Sequence, residues 1–351
     1  MTDIIVIGGG IAGVSAAARL SEGASVTLLE AEIALGYHAS GRSAALFEQN
    51  YGLPPVIALN KASAAYHQPY LSPRGFLLVA RAGEDERFEK DAKTLKCPEI
   101  SVQEARNHVP ILNDTITRAA YHSDAWDIDT DRMIHDFAKM VRANGGQVLT
   151  DRKVTEITRG KRWTVRCGNE VLTADLLVNA AGAWADPIAA LAGATPIGIT
   201  PHRRSMARLP APTEEPIDRW PIFFGVGESW YAKPDAGKLL VSPADEDAVA
   251  PHDAWADDMV LAEGLDRYAQ HVTKPVTRVE TTWAGLRSFA PDRCLVLGHD
   301  TQVPDFVWCA GQGGYGFQTA PAASQLLADL VLGRQSQIDA DTIKSLSPAR
   351  F

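Results

Sequence analysis

A strand that runs straight into a GxGxxG turn and a small-residue helix leaves a chain few folds to choose from. Ile4-Ile5-Val6-Ile7 is a continuous apolar run, the pattern of a parallel strand buried on both faces. Gly8-Gly9-Gly10-Ile11-Ala12-Gly13 follows at once, 14–20 reads as an alanine-rich helix, 25–29 as a second strand, and Glu30 closes it. Gly8 allows the tight turn, Gly10 lets the backbone approach a pyrophosphate, and Gly13 lets the helix pack close to the sheet. With Ile11 and Ala12 they form a cofactor-binding turn whose free N–H groups and positive dipole end face phosphates. Glu30, 17 residues beyond Gly13, is placed to accept both hydroxyls of a ribose, and it would repel a 2′-phosphate. The expectation is a Rossmann-like α/β fold that binds a dinucleotide other than NADP. The motif alone does not choose between NAD and FAD.

Later segments bear on that choice. Ser40, Gly41, Arg42, Ser43, Ala44 and Ala45 follow the second strand, and their small side chains permit close approach to a flat ring. Arg42 and Ser43 are placed to reach a pyrophosphate or a ring edge. A strand over 176–178 leads into Asn179-Ala180-Ala181-Gly182-Ala183-Trp184, a second small-residue turn that invites a backbone–ligand contact. Near the chain end, a strand over 307–310, a Gly-rich turn over 311–316 and a helix over 317–332 aim a positive dipole. That dipole suits the N1–C2=O edge of a flavin, which is anionic when reduced. An NAD enzyme would leave this turn without a purpose.

Between these segments lie predicted helices over 54–70, 84–95 and 131–143, and one opened by a capping box at Ser101 and Glu104. Met133, Phe137, Met140 and Val141 form a buried stripe. Short strands are expected over 148–150, 154–158, 163–167 and 171–174. Residues 196–290 turn rich in proline and tryptophan, with strands over 204–209, 222–225, 230–233, 239–242 and 279–283. This predicts an antiparallel-sheet substrate domain (47–134 and 196–290) on a discontinuous FAD-binding domain (1–46, 135–195 and 291–351). The charge balance, 34 − 43 = −9, argues against nucleic acid as a partner. The four cysteines are scattered without a CxxC, and no histidine pairs with an acid at ligand spacing, so no metal is expected. No segment approaches the ~20 apolar residues of a membrane span. The N-terminus lacks a basic leader region, which makes the cytoplasm the expected location.

GYHASGRSAA at 36–45, DIDTD at 127–131, LVNAAGAWAD at 177–186, RRS at 203–205, YAKPDAG at 231–237, TWAGLRSF at 282–289 and QGGYGFQT at 312–319 complete the pattern. Together they resemble the FAD-dependent D-amino-acid oxidase and dehydrogenase superfamily over nearly the full length, and within it the bacterial D-arginine dehydrogenases. The resemblance implies that Arg204 and Arg287 hold a substrate carboxylate and that Tyr51 and Tyr231 close over it. It implies that Gly285, Gly313, Gly314, Tyr315, Gly316 and Gln318 line the flavin face and the substrate amine. Val154, Ala181, Gly182 and Trp184 join the cofactor-binding set. Gly285 stands where some sarcosine oxidases carry a cysteine bonded to the flavin, which implies noncovalent FAD.

A guanidinium pairs with a carboxylate bidentately, and Arg287 lies in an otherwise apolar strand where an unpaired charge is costly. The substrate side-chain pocket departs from the D-arginine dehydrogenases. Phe76 replaces the glutamate that meets a guanidinium, Leu46 replaces a histidine, and Glu48 replaces a threonine. Phe76 and Leu46 favour an apolar or aromatic side chain; Glu48 argues for a cationic one. The implied activity is oxidative deamination of a D-amino acid, hydride passing from Cα to flavin N5 and the imine hydrolysing to a 2-oxo acid and ammonia. The reduced flavin then needs an electron acceptor, oxygen or a quinone-type compound. The alternatives are oxidation of a secondary amine and a flavin-binding subunit of a heteromeric dehydrogenase.

Overall fold

The computed structural model describes residues 2–214 and 216–351. The N-terminal motif forms as expected, with strand Asp3–Ile7, helix Ile11–Leu20 and strand Ser25–Leu29. A six-stranded sheet runs in the order Val296–His299, Phe306–Ala310, Leu176–Asn179, Asp3–Ile7, Ser25–Leu29, Gln147–Leu149. Its strands pair in parallel except for the first two, which are antiparallel. Helices Ile11–Leu20, Thr130–Ala143 and Gly316–Leu332 pack on one side of it, sharing a core with Ile4, Val6, Val26 and Val178. Met133, Phe137 and Val141 are buried there and Met140 is partly so.

A second sheet has eight strands among the described residues. Its order is Thr281–Phe289, Thr200–Leu209, Lys238–Ser242, Tyr231–Asp235, Ile222–Gly225, Phe76–Arg81, Ile116–His122, Glu99–Ile100. Pairing is antiparallel apart from Ile222–Gly225 with Phe76–Arg81. One face carries Leu77, Val79, Ala207, Leu209, Phe223, Ala232, Leu239 and Val241, a closed apolar core with Trp230 and Tyr268. The alternate residues face the other way, toward the six-stranded sheet. A period of two makes this division obligatory.

The structure extends and corrects several sequence expectations. The strand expected over 279–283 runs Thr281–Phe289, and the one expected over 204–209 begins at Thr200. Strands Phe76–Arg81 and Ile116–His122 and helix Asp258–Ala269 were not foreseen. Helix Pro54–His67, expected to belong with the substrate-domain segments, sends Val56 and Leu59 into the same core as Ile4 and Val14. Phe47, Tyr70 and Ile128 share that core.

A charge cluster ties the eight-stranded sheet to the loop that follows Ser25–Leu29. Asp127 accepts from Arg74 Nε and Nη2 at 2.8 and 2.5 Å and pairs with Lys233 Nζ at 2.9 Å. Lys233 also donates to the Ala44 carbonyl at 2.7 Å, and Arg74 to the carbonyls of Trp220 and Asp218. The cluster thereby ties the eight-stranded sheet to the small-residue loop after the second strand. Removing one carboxylate would leave two half-desolvated cations facing each other. Asp127→Ala is expected to cost about 3 kcal/mol of stability, read as a lower urea midpoint with unchanged slope. A wild-type midpoint would show that the cluster contributes nothing net.

Candidate active site

A cleft of about 1580 Å3, its open mouth included, lies between the two sheets. Three backbone turns form its cofactor end: Gly10, Ile11 and Ala12; Ser40 and Arg42 to Ala45; and Ala180 with Gly182. Gly285 and the stretch Gln312, Gly313, Gly314, Gly316, Phe317, Gln318 close the other side.

The glycines act as their geometry requires. A Cβ on Gly13 would lie 1.8 Å from the Gly8 carbonyl oxygen, so only glycine permits this helix–strand approach. Gly8 has φ +109° and a Cβ there would meet the Ala180 carbonyl oxygen at 2.4 Å. Neither lines the cleft; both set the crossing that opens it. Gly41 likewise packs, its N–H donating to Gly36 O at 2.6 Å. The Ile11 N–H at the helix start is met by Ser40 Oγ at 3.0 Å. Glu30 is buried at the end of the second strand. Its Oε2 accepts from Gly9 N–H at 2.6 Å and its Oε1 from Glu32 N–H at 2.8 Å. Each oxygen keeps capacity for one further donor, as a ribose diol needs. The chain thus fits FAD at its phosphate, ribose and ring-facing turns.

Three expected cofactor residues do not present side chains to the cleft. Arg42 lines it, but its guanidinium is taken up by the carbonyls of Ala254 and Ala284 at 2.9 and 3.0 Å and by Asp253 at 2.5 Å. It braces the loop instead of reaching a pyrophosphate. Val154 buries its side chain in a core with Ile7 and Leu29, leaving only backbone for a ligand. Trp184 packs on the His38 ring at 4.7 Å and supports the same loop from behind. Ala181 and Tyr315 border the cleft without lining it, and Tyr315 meets Tyr51 edge-on at 5.6 Å.

Strand register assembles the substrate end. Arg204 pairs with Gly285, His202 with Arg287, and Met206 with Trp283. Directly opposed residues share a face, so Arg204, Gly285 and Arg287 lie together, the two arginines one diagonal step apart. The same face continues through Tyr231, Phe224, Ile222 and Phe76, all of which line the cleft with Met206. Met206, Ile222 and Phe224 were missed from sequence; alternation from Arg204 and Tyr231 was the signal that locates them.

The arginines are not neutralised by the protein. Arg204 Nε and Nη1 are buried without a hydrogen-bond partner, and Glu246 comes no nearer than 3.7 Å to its Nη2. Its neighbour Arg203 is the contrast, salt-bridged to Asp245 at 3.2 Å and Asp247 at 2.8 Å. Arg287 has no ion pair among the described residues, and a Cβ on Gly314 would lie 3.1 Å from its Cζ. Burial alone would lower the Arg287 pKa; the surrounding field, the carboxylates of Glu228 and Glu246 included, outweighs it. Burial pushes the Tyr51 phenol well above its ordinary range, with Glu228 adding to the rise, so it serves as a neutral donor. Chemically, this constellation suits an anion with at least one carboxylate-like face.

The side-chain end is mostly apolar. Phe76 packs edge-on against Phe224 at 4.0 Å and stacks on His122 at 5.3 Å. Leu46 and Leu95 complete it. Glu48 is buried, with Oε1 accepting from Asn50 N–H at 2.7 Å and Asn50 Nδ2 at 3.1 Å. Its Oε2 lies 3.1 Å from His122 Nε2. Burial raises the Glu48 carboxyl pKa, while Asn50 and His122 act against the rise.

The FAD dependent oxidoreductase family matches residues 3–330. The chain belongs to that family. It is 23% identical to the bovine (Bos taurus) FAD-dependent oxidoreductase domain-containing protein 1, over 94% of this chain and 81% of that protein. It is 26% identical to the hydrogen cyanide synthase subunit HcnC of Pseudomonas aeruginosa over 57% of this chain, a match that spans only 48% of the subunit. Glycine oxidase from Geobacillus kaustophilus shares the fold with a TM-score of 0.84 at 19% identity, each chain fully covered. L-proline dehydrogenase from P. horikoshii does so with a TM-score of 0.83 at 21% identity, over 100% of this chain and 97% of the other. The protein is an FAD-dependent oxidoreductase of this family. No helix among the described residues is long and apolar enough to cross a membrane.

The cleft lining holds no cysteine and no histidine, the side chains that tether flavins covalently. Acid precipitation of the yellow protein is therefore expected to leave all the flavin in the supernatant. Colour retained in the pellet would contradict a noncovalent site.

Proposed function

We propose that this protein oxidises the Cα–N bond of a D-amino acid with an uncharged, apolar or aromatic side chain. The imine product then hydrolyses to a 2-oxo acid and ammonia. The carrying observation is the pair of guanidiniums, Arg204 and Arg287, on the face that lines the cleft, Arg204 with two buried donors unpartnered and Arg287 with no ion pair among the described residues. A bidentate carboxylate offsets that charge and fixes the substrate's orientation. FAD, when bound, supplies the two-electron acceptor for the hydride that leaves Cα. Tyr51 and Tyr231 donate from the sides and help exclude water. The D configuration is supported by the resemblance of the arginine- and tyrosine-bearing segments to the D-arginine dehydrogenases.

The preference for an uncharged side chain rests on Glu48. Its Oε1 accepts from Asn50, its Oε2 lies 3.1 Å from His122 Nε2 without a hydrogen bond, and burial raises its pKa, so a neutral carboxyl there requires no substrate cation. Phe76 fills the position where a guanidinium would need an acid. A secondary amine is the second reading, because the same carboxylate clamp serves it. The presence of both arginines and both tyrosines in one chain favours a self-sufficient enzyme over a flavin-binding subunit.

Anaerobic mixing with D-, L- and N-methyl amino acids, following the flavin band near ~450 nm, tests the reading. Bleaching by apolar or aromatic D-amino acids is expected. Bleaching only by secondary amines would move the enzyme to the second reading, and bleaching only by D-arginine or D-lysine would overturn the Glu48 argument. Re-oxidation by air or by a quinone then names the acceptor. Arg287→Met is expected to lower kcat/KM at least ~100-fold, about 2.7 kcal/mol of transition-state stabilisation; an unimpaired variant would remove Arg287 from its role. The substrate amine must be neutral to give up a hydride. Activity should rise with pH, and Tyr51, held neutral by burial, cannot be the group that titrates. A flat profile from mildly acidic to alkaline pH would contradict this.

A further inference from the structure

Helix Gly316–Leu332 carries Pro321 in its second turn. Proline has no N–H, so the Phe317 carbonyl loses its donor four residues on, and the ring presses against that carbonyl. The same stretch, Phe317 to Ser324, is buried, where loosened backbone groups find no water.

The adjacent helix Pro54–His67 supplies side-chain bonds on both sides of the interruption. His67 Nε2 donates to the Gln318 carbonyl at 3.0 Å. Ser63 Oγ accepts from the Ala322 N–H at 3.1 Å and donates to the Thr319 carbonyl at 3.4 Å. One turn earlier, Asn60 Nδ2 donates to the carbonyls of Tyr51 at 3.0 Å and Glu48 at 3.5 Å. Asn60, Ser63 and His67 are each 0% exposed, and their spacing of three and four puts them on one helix face. A face buried this deeply is ordinarily apolar, and three polar residues there are unfavourable unless their bonds are made. Because a carbonyl accepts from Nε2, His67 is the neutral Nε2–H tautomer. Burial depresses its pKa, and Nδ1 is left without a partner.

Gln318 connects this seam to the cleft it lines. Its Oε1 accepts from the Glu48 N–H and its Nε2 donates to the Tyr51 carbonyl, both at 3.4 Å. One backbone turn therefore links the helix that borders the flavin position to the segment that carries Tyr51.

We propose that His67 and Ser63 are positioning residues of the cofactor site. They hold the Pro321-interrupted turn so that the helix start, with Gly314, Gly316 and Gln318, keeps its aim into the cleft. The dipole at that start favours the anionic, reduced form of bound FAD. Loosening the turn weakens that preference without touching the cofactor directly.

The test is the midpoint potential of the FAD-loaded enzyme, which is independent of the substrate's identity. His67→Leu is expected to cut the preference for reduced flavin about tenfold, a fall of ~30 mV for a two-electron couple. Ser63→Ala should shift it the same way by about threefold. His67→Gln, which restores a donor, should return most of the loss. Val165→Ala, a truncation in the buried strand Trp163–Cys167 away from the cleft, should lower Tm and leave the potential unmoved. Wild-type potentials in folded His67→Leu and Ser63→Ala would overturn the proposal, as would an equal shift in Val165→Ala. Should His67→Leu fail to fold, Ser63→Ala decides by the same criterion.

Discussion

Burying two guanidinium groups a diagonal step apart is unfavourable, and the surrounding architecture has to hold them there. Pairing of Thr200–Leu209 with Thr281–Phe289 fixes Arg204 opposite Gly285 and Arg287 opposite His202. Gly285 is what makes the arrangement possible, because a large side chain opposite Arg204 would occupy the space a ligand needs. The reverse face of the sheet is a dense apolar core with Phe223, Trp230 and Tyr268. A one-residue slip would exchange the two faces and place both charges in that core. Register, set by the apolar face, thereby delivers charge to the polar one.

The opposite wall of the cleft is positioned by close backbone approach. Gly13 and Gly8 allow the first helix to lie against the first strand and the Ala180 turn. Lys233, Asp127 and Arg74 anchor the small-residue loop to the second sheet, and Arg42 anchors the same loop to Asp253 and Ala284. Two sheets and one doubly anchored loop thus define the space open to a flat ring and a small ligand beside it.

How much of this was legible depended on sequence distance. The dinucleotide motif was readable because strand, glycines, helix and acid are contiguous, and each residue's role follows from local geometry. Arg204, Arg287, Tyr51 and Tyr231 came through the resemblance, and the structure gathers all four on one cleft. The acceptors that hold the Arg42 guanidinium lie more than two hundred residues away, where no local spacing shows them. The meaning of Glu48 turned on His122, which no spacing rule connects to it. Helix Pro54–His67 shows a mixed pattern in sequence. That its polar residues are buried, and that they meet a proline-broken turn, is visible only once Gly316–Leu332 is packed against it. Alternation along Ile222–Gly225 and Tyr231–Asp235 was available and would have located Phe224 and Ile222.

The order of strands in the six-stranded sheet has a temporal consequence. Strand Phe306–Ala310 pairs with Leu176–Asn179, which in turn pairs with Asp3–Ile7, and helix Gly316–Leu332 packs on Ile11–Leu20. The nucleotide-binding turn thus depends on neighbours far along the chain. Strand Asp3–Ile7 waits for its partner Leu176–Asn179, and the helix that covers it, Gly316–Leu332, is later still. Pairings of such long sequence separation form slowly and leave apolar edges open in the meantime. Closure of the cofactor domain is therefore set by the slow formation of these distant pairings, even though its signature motif is contiguous in sequence.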